Sequence, residues 1–249
     1  MKSREILIKI IYGLSIVFIL IIFLVFVLFP FFKIDRVNLD SELVFSRNIT
    51  EIAGLDSNSS FLFLNIDEVQ SRLLREPLVR KVFIDKQFPN TLNITIFGRE
   101  ALVIGYANRD GLSIPLCFDE NGVAFQIGER VEDVDLPVIS GDIDFNKVTN
   151  GGGLPVVLVP LLKSLKEIRG IVPDIYSTIS EIAIIKRGDM TYDLEMNFTF
   201  SKIRALLQGD ICVEQLKNVV VVTSLLDREN VSVSFIDFRA DQIVYKEEG

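Results

Sequence analysis

Between Lys9 and Lys33 the chain runs for 23 residues, Ile10 to Phe32, without a charged side chain. Ile, Leu, Val and Phe dominate the stretch. As a helix rising ~1.5 Å per residue it would reach roughly 34 Å, enough to cross a hydrocarbon core of about 30 Å. The flanking lysines would then sit at headgroup level. A cleaved secretory leader has only about 7–15 apolar residues and closes on small ones, whereas this run closes on Leu28-Phe29-Pro30-Phe31-Phe32. A retained single-pass anchor over residues 10–32 is expected. Lys2, Arg4 and Lys9 face only Glu5 on the amino side, and Lys33 and Arg36 face Asp35 on the other. That bias predicts residues 1–9 in the cytoplasm and everything beyond Phe32 outside it.

Residues 1–33 contain four basic residues and one acidic residue, so the rest of the chain keeps 22 basic and 33 acidic residues, a net charge of about −11. Such a surface repels phosphate backbones, which excludes nucleic acid as a natural partner. No second stretch is long enough to span a bilayer: Leu154–Leu162 is nine residues with Pro155 and Pro160 inside it. Histidine is absent, which removes the usual base of a Ser or Cys triad and the commonest metal ligand. Paired carboxylates survive that filter, yet no motif aims two of the acids together. No catalytic residue, cofactor or metal is expected. Cys117 and Cys212 read most simply as two small apolar side chains that do not pair.

Beyond the anchor, residues 34–39 alternate as a short strand. A helix starts near Ser46, a plausible N-cap, and runs through Ile49, Ile52 and Ala53 to Gly54. A second follows Asn65, whose spacing to Glu68 is that of a capping box, with Ile66, Val69, Leu73 and Leu74 on one face. Pro77 stops it. Residues 79–88 and 91–97 read as strands joined at Pro89-Asn90, and Leu92, Ile94 and Ile96 alternate with Thr91, Asn93 and Thr95. Strand, helix, helix, strand, strand is the smallest arrangement that lets one helical layer cover a three-stranded sheet.

The run Pro77-Leu78-Val79-Arg80-Lys81-Val82, followed by Phe88-Pro89-Asn90-Thr91-Leu92-Asn93-Ile94-Thr95-Ile96, resembles a POTRA domain. Ile52-Ala53-Gly54-Leu55 and Phe61-Leu62-Phe63-Leu64-Asn65-Ile66 fit its two helices and the turn between them. A POTRA domain directly after one amino-terminal anchor resembles the FtsQ/DivIB cell-division family. That family commonly carries Glu-Arg-x-Pro-x-Ala after the last strand; here Gly98-Arg99-Glu100-Ala101 keeps the Arg and loses the Glu and Pro. Asp119, Gly122 and Phe125 are similar to its Asp-x-x-Gly-x-x-Phe pattern, and Ile236-Asp237-Phe238-Arg239 to its Ile-Asp-Leu-Arg signature.

The rest of the chain is strand-rich. Residues 102–107, 112–118 and 123–127 read as strands, the last two joined by a loop ending in Asn121-Gly122, a hairpin signal. Glu129 to Asp135 reads as a solvated loop, and Asn150-Gly151-Gly152-Gly153 as a flexible linker or loop tip. A helix over 159–169 turns Leu162, Leu165 and Ile168 inward. Residues 179–185 and 192–200 form a strand pair. A helix over 211–228 carries Val213, Leu216, Val220, Leu225 and Leu226, and strands at 231–238 and 243–245 follow. The expected fold is α+β: one transmembrane helix, a POTRA domain (β-α-α-β-β) over 34–100, and a mainly antiparallel β-sheet domain with flanking helices over 101–249.

The resemblance implies a non-enzymatic divisome scaffold in the bacterial inner membrane, enriched at the division site and supporting septum formation. Its implied partners are FtsB- and FtsL-like bitopic proteins, with further divisome proteins recruited through the POTRA domain. A route consistent with this is strand addition to Ile243, Val244 and Tyr245, the last strand read in the sequence. With the signature residues Asp237, Phe238 and Arg239, these are the candidate partner-binding residues. Competing readings are a POTRA protein of envelope assembly or secretion, and a membrane-tethered carboxylate enzyme acting on glycan.

Overall fold

A computed structural model describes residues 2–28, 32–45, 47–56, 59–131, 135–229, 231, 233–240 and 244–247. The chain divides into two compact units, the first ending at Gly98 and the second starting at Arg99.

In the first unit, helix α1 (Lys2–Phe23) continues as a π-helical turn over Leu24–Leu28. Its window Ile8–Phe26 has a mean hydropathy of 2.8 and none of it is buried within the protein. By length and composition it is a helix able to cross a membrane, where all backbone groups must be satisfied within the segment. Next come β1 (Arg36–Ser41), α2 (Ile49–Ile52), α3 (Ile66–Leu73), β2 (Val79–Gln87) and β3 (Thr91–Gly98). The sheet order is β1-β3-β2, with β1 parallel to β3 and β2 antiparallel to it. Leu92, Ile94 and Ile96 point inward as their alternation requires, and they share a core with Ile49, Ala53, Val69, Leu73, Val79 and Val82.

Local chemistry accounts for both helix starts. Asn48, not Ser46, caps α2: its side chain accepts from the Thr50 N–H, and Ser46 lies outside the described residues. Asn65 Oδ1 accepts from the N–H groups of Asp67 and Glu68. Glu68 does not complete a capping box; its carboxylate takes Arg72 Nη2 at 2.6 Å. Arg72 Nη1 reaches the Ala53 carbonyl at 3.4 Å and ties α3 to the end of α2. Leu74, expected on the buried face, is 40% exposed, because α3 ends at Leu73 and the chain turns there.

The second unit holds a nine-stranded sheet of order β12-β11-β10-β9-β8-β7-β4-β5-β6. The strands are β4 (Val103–Arg109), β5 (Leu112–Phe118), β6 (Ala124–Ile127), β7 (Val138–Gly141), β8 (Ile179–Lys186), β9 (Tyr192–Phe198), β10 (Ser201–Gln208), β11 (Val233–Asp237) and β12 (Val244–Glu247). Most neighbours are antiparallel; β4–β7, β7–β8 and β10–β11 are parallel. Helices α4 (Val159–Ile171), α5 (Pro173–Tyr176) and α6 (Val213–Arg228) share the sheet's core through Leu161, Leu162, Leu165, Ile168, Tyr176, Leu216 and Val219. The parallel step from β10 to β11 passes through α6, as a parallel pair requires a crossover. The α+β organisation read from the sequence is the one observed.

Three local expectations are corrected. Strand β10 was not expected, yet Ile203, Ala205 and Leu207 alternate inward along it. Leu225 on α6 is 51% exposed, and Val219 and Thr223 are buried. The Gly151–Gly153 tract is no linker. Gly151 N–H donates to the Ala124 carbonyl at 2.7 Å, Ala124 N–H donates to the Gly152 carbonyl at 2.8 Å, and Gly153 bridges Val123. The tract lies along β6. At the Asn121-Gly122 turn only Gly122 takes a positive φ, and Asp119 holds the loop by accepting from the N–H groups of Asn121 and Val123.

Candidate functional site

The two ends of the large sheet are unlike. At one end the glycine tract covers the start of β6, taking up the backbone groups of Ala124. At the other, β12 pairs antiparallel with β11, Val244 opposite Asp237 and Tyr245 opposite Ile236, and no strand follows it among the described residues. In an antiparallel pair alternate residues turn their N–H and C=O groups away from the partner. Strand β12 therefore presents a row of main-chain donors and acceptors on its outer side, the feature that accepts an added strand.

The signature before β12 is built into the sheet. Ile236 is fully buried. Phe238 N–H donates to the Leu206 carbonyl at 2.8 Å, and its ring packs against both the main core and the smaller cluster of Ile203, Val233 and Ile236. Arg239 folds back on Asp237: its Nε lies 2.9 Å from Oδ1 and its Nη2 2.5 Å from Oδ2. Its Nη1 lies 2.8 Å from Asp193 Oδ2 on β9. Asp193 is 3% exposed and also takes Arg187 Nη2 at 2.5 Å. A buried carboxylate needs such partners, since ionised groups are costly out of water.

Of the candidate residues, the structure brings Asp237 and Arg239 into one ion-pair network, sets Asp237 opposite Val244 in register, and seats Phe238 as a packing residue. Ile243 lies outside the described residues. The sequence reading missed Asp193 and Arg187. Asp193 lies on the face of β9 opposite the core residues Tyr192 and Leu194 and is covered there by Arg187 and Arg239, so no local pattern marked it. Beside them, Tyr192 Oη donates to Asp210 Oδ1 at 2.7 Å. Burial first, then this bond, pushes the phenol above its ordinary range.

The structure also joins two motif fragments that lie apart in sequence. Arg99 Nη1 sits 2.5 Å from Asp119 Oδ2, and the Asp119 side chain has no exposure.

Comparison with known proteins agrees with this organisation. Residues 36–99 match the family model described as "POTRA domain, FtsQ-type". Over 217 residues the chain is 24% identical to the cell division protein DivIB of Clostridium acetobutylicum, covering 83% of this chain and 81% of that protein. It is 31% identical over 113 residues to DivIB of Staphylococcus aureus, which covers 45% of this chain and 25% of the relative. It is 26% identical over 102 residues to the cell division protein FtsQ of Rickettsia bellii, covering 41% and 36%. Residues 36–99 are thus a POTRA domain of FtsQ type, carried behind an amino-terminal apolar helix. Over most of its length the chain is similar to one DivIB cell-division protein and over about half to other DivIB and FtsQ proteins, and that likeness supports a role in division.

Proposed function

We propose that the chain is a non-enzymatic scaffold of bacterial cell division, held in the cytoplasmic membrane by residues 10–32 with its bulk outside the cytoplasm. On this reading the outer sheet captures the extracytoplasmic segment of a small FtsB- or FtsL-like bitopic partner by strand addition along β12, and the POTRA domain recruits other division proteins. The observation that carries it is the sheet end at β12, which pairs with β11 on one side and has no further strand on the other among the described residues. A sheet edge exposed on a soluble surface invites pairing, and β12 presents such an edge among the described residues. The cell-division names of the relatives favour this reading over envelope assembly or secretion. Imaging of a fluorescent fusion through the cell cycle tests it. Enrichment at midcell during constriction is expected, and a uniform membrane signal would overturn the division role.

A further inference from the structure

Phe32 closes the apolar run, and its carbonyl accepts from the Phe61 N–H at 2.7 Å. Ile34 N–H donates to the Ser59 carbonyl at 3.0 Å, and Lys33 bridges Ser60 in antiparallel fashion. Residues 59–64 are therefore pinned to the chain where it would leave the bilayer. Phe32 is four residues beyond Leu28, the last residue of the π-helical turn, so extended chain puts it at most about 14 Å from the helix end. The β2–β3 turn is drawn to the same place. The Phe88 ring lies 5.9 Å from Phe32 and 6.5 Å from Phe61, centroid to centroid. Lys86 Nζ donates to the Leu64 carbonyl at 2.8 Å and lies 5.5 Å over the Phe61 ring.

Phe61 is the buried peg of this cluster, whereas Leu62 is 49% exposed and Phe63 and Phe88 are each 72% exposed. Large apolar side chains so far out in water forgo the gain of burial, and here they lie beside the one point of the domain that the chain fixes at the membrane surface. Phe and Leu side chains on the apolar face of a surface-lying segment bury about 5–10 Å into the headgroup and acyl boundary. Lys33, Arg36 and Lys86 are matched in number by Asp35, Asp56 and Asp85 around the cluster, so the attraction is apolar rather than electrostatic.

We propose that Leu62, Phe63 and Phe88 seat in the interfacial layer of the bilayer, giving the POTRA domain a second membrane attachment that fixes its height and tilt. The occupant of this apolar rim is a lipid surface. The inference rests on residues 10–32 spanning the membrane, and the test separates the two claims.

The chain has no tryptophan, so each substitution to Trp creates a single fluorophore. The full chain is reconstituted into phosphatidylcholine vesicles with or without lipid brominated near the headgroup or deep in the acyl chain. Four variants are compared: Phe18→Trp in the span, Phe63→Trp and Phe88→Trp on the rim, and Phe97→Trp at the far end of β3, with circular dichroism to confirm folding. Emission from Phe63→Trp and Phe88→Trp is expected to be blue-shifted and quenched most by the shallow bromine. Phe18→Trp should be quenched by the deep bromine and Phe97→Trp by neither. If Phe18→Trp is quenched while the rim variants match Phe97→Trp, the rim does not seat in lipid and the proposal fails with the anchor intact. If Phe97→Trp is quenched as strongly as the rim, the domain lies flat and the specific seat is refuted. An unquenched Phe18→Trp removes the anchor and the proposal with it.

Discussion

Arg99 and Asp119, 20 residues apart in sequence, form a 2.5 Å ion pair in which the carboxylate has no exposure and the guanidinium side chain only 15%. Asp119 uses its other oxygen for the N–H groups of Asn121 and Val123. One carboxylate thus shapes the β5–β6 loop and anchors the first residue of the second unit. Breaking a buried pair by removing one partner leaves a charge uncompensated and typically costs about 3–5 kcal/mol. Arg99→Ala should destabilise the second unit by roughly this amount. Urea unfolding of the 33–249 segment checks it, and an unchanged midpoint would show that the loop holds without the guanidinium.

Arg239 is expected to act by position rather than by touching a partner. Its guanidinium is committed to Asp237 and to the buried Asp193. Because the side chain is 29% exposed and Arg187 also pairs with Asp193, the effect of Arg239→Ala is discounted to about 1–3 kcal/mol. Partner capture by the variant should fall in step with folding and return when stability is restored by an osmolyte. Loss of capture by a variant of wild-type stability would make Arg239 a contact residue.

Leu73→Ala should cost about 2–5 kcal/mol, the usual range for truncating a buried leucine, because Leu73 is fully buried in the POTRA core. Leu74→Ala, one residue on and 40% exposed, should stay within about 0.5 kcal/mol. Parallel urea titrations of the two variants decide which leucine faces the core.

Tyr192 supplies a pH dependence on the alkaline side. Its phenol titrates above the ordinary value in the folded chain, through burial and then through Asp210. The folded state therefore holds this proton more tightly than the unfolded chain does. Its stabilising contribution is present below the ordinary tyrosine value near 10 and declines as pH rises past it. Tyr192→Phe should be less stable at neutral pH, having lost the bond to Asp210, but should lose less stability between about pH 9 and 11. Denaturation midpoints measured across that range check the slope; identical slopes would assign the proton elsewhere.

Proline scanning of β12 tests the open edge. Val244 and Tyr245 are successive residues, so their backbone N–H groups point to opposite sides of the strand. Proline removes the N–H and is tolerated on an edge where that group faces away from the sheet. One of Val244→Pro and Tyr245→Pro should therefore keep the wild-type circular dichroism and lose capture of the partner's extracytoplasmic segment. The other should disturb pairing with β11. Wild-type capture by both folded variants would move the interface away from this edge.

Much of this architecture follows from local pattern. The uncharged run from Ile10 to Phe32, the alternation of Leu92, Ile94 and Ile96, and the N-cap at Asn65 each carry a period or a terminal signal within a few residues of chain. Burial and hydrogen bonding then need only a suitable neighbour, so these features could be read before the fold was seen. Strand β10 was hidden because Lys202, Arg204, Leu206 and Gln208 between its inward residues read as readily as helix, until β9 and β11 flank it on both sides. The glycine tract resembles a linker until β6 is beside it to take its hydrogen bonds. Likewise no spacing rule pairs Arg99 with Asp119 or Arg239 with Asp193. Where a charge finds its counter-ion, and which sheet edge stays open, are set by segments far apart in sequence that only tertiary packing brings within hydrogen-bond reach.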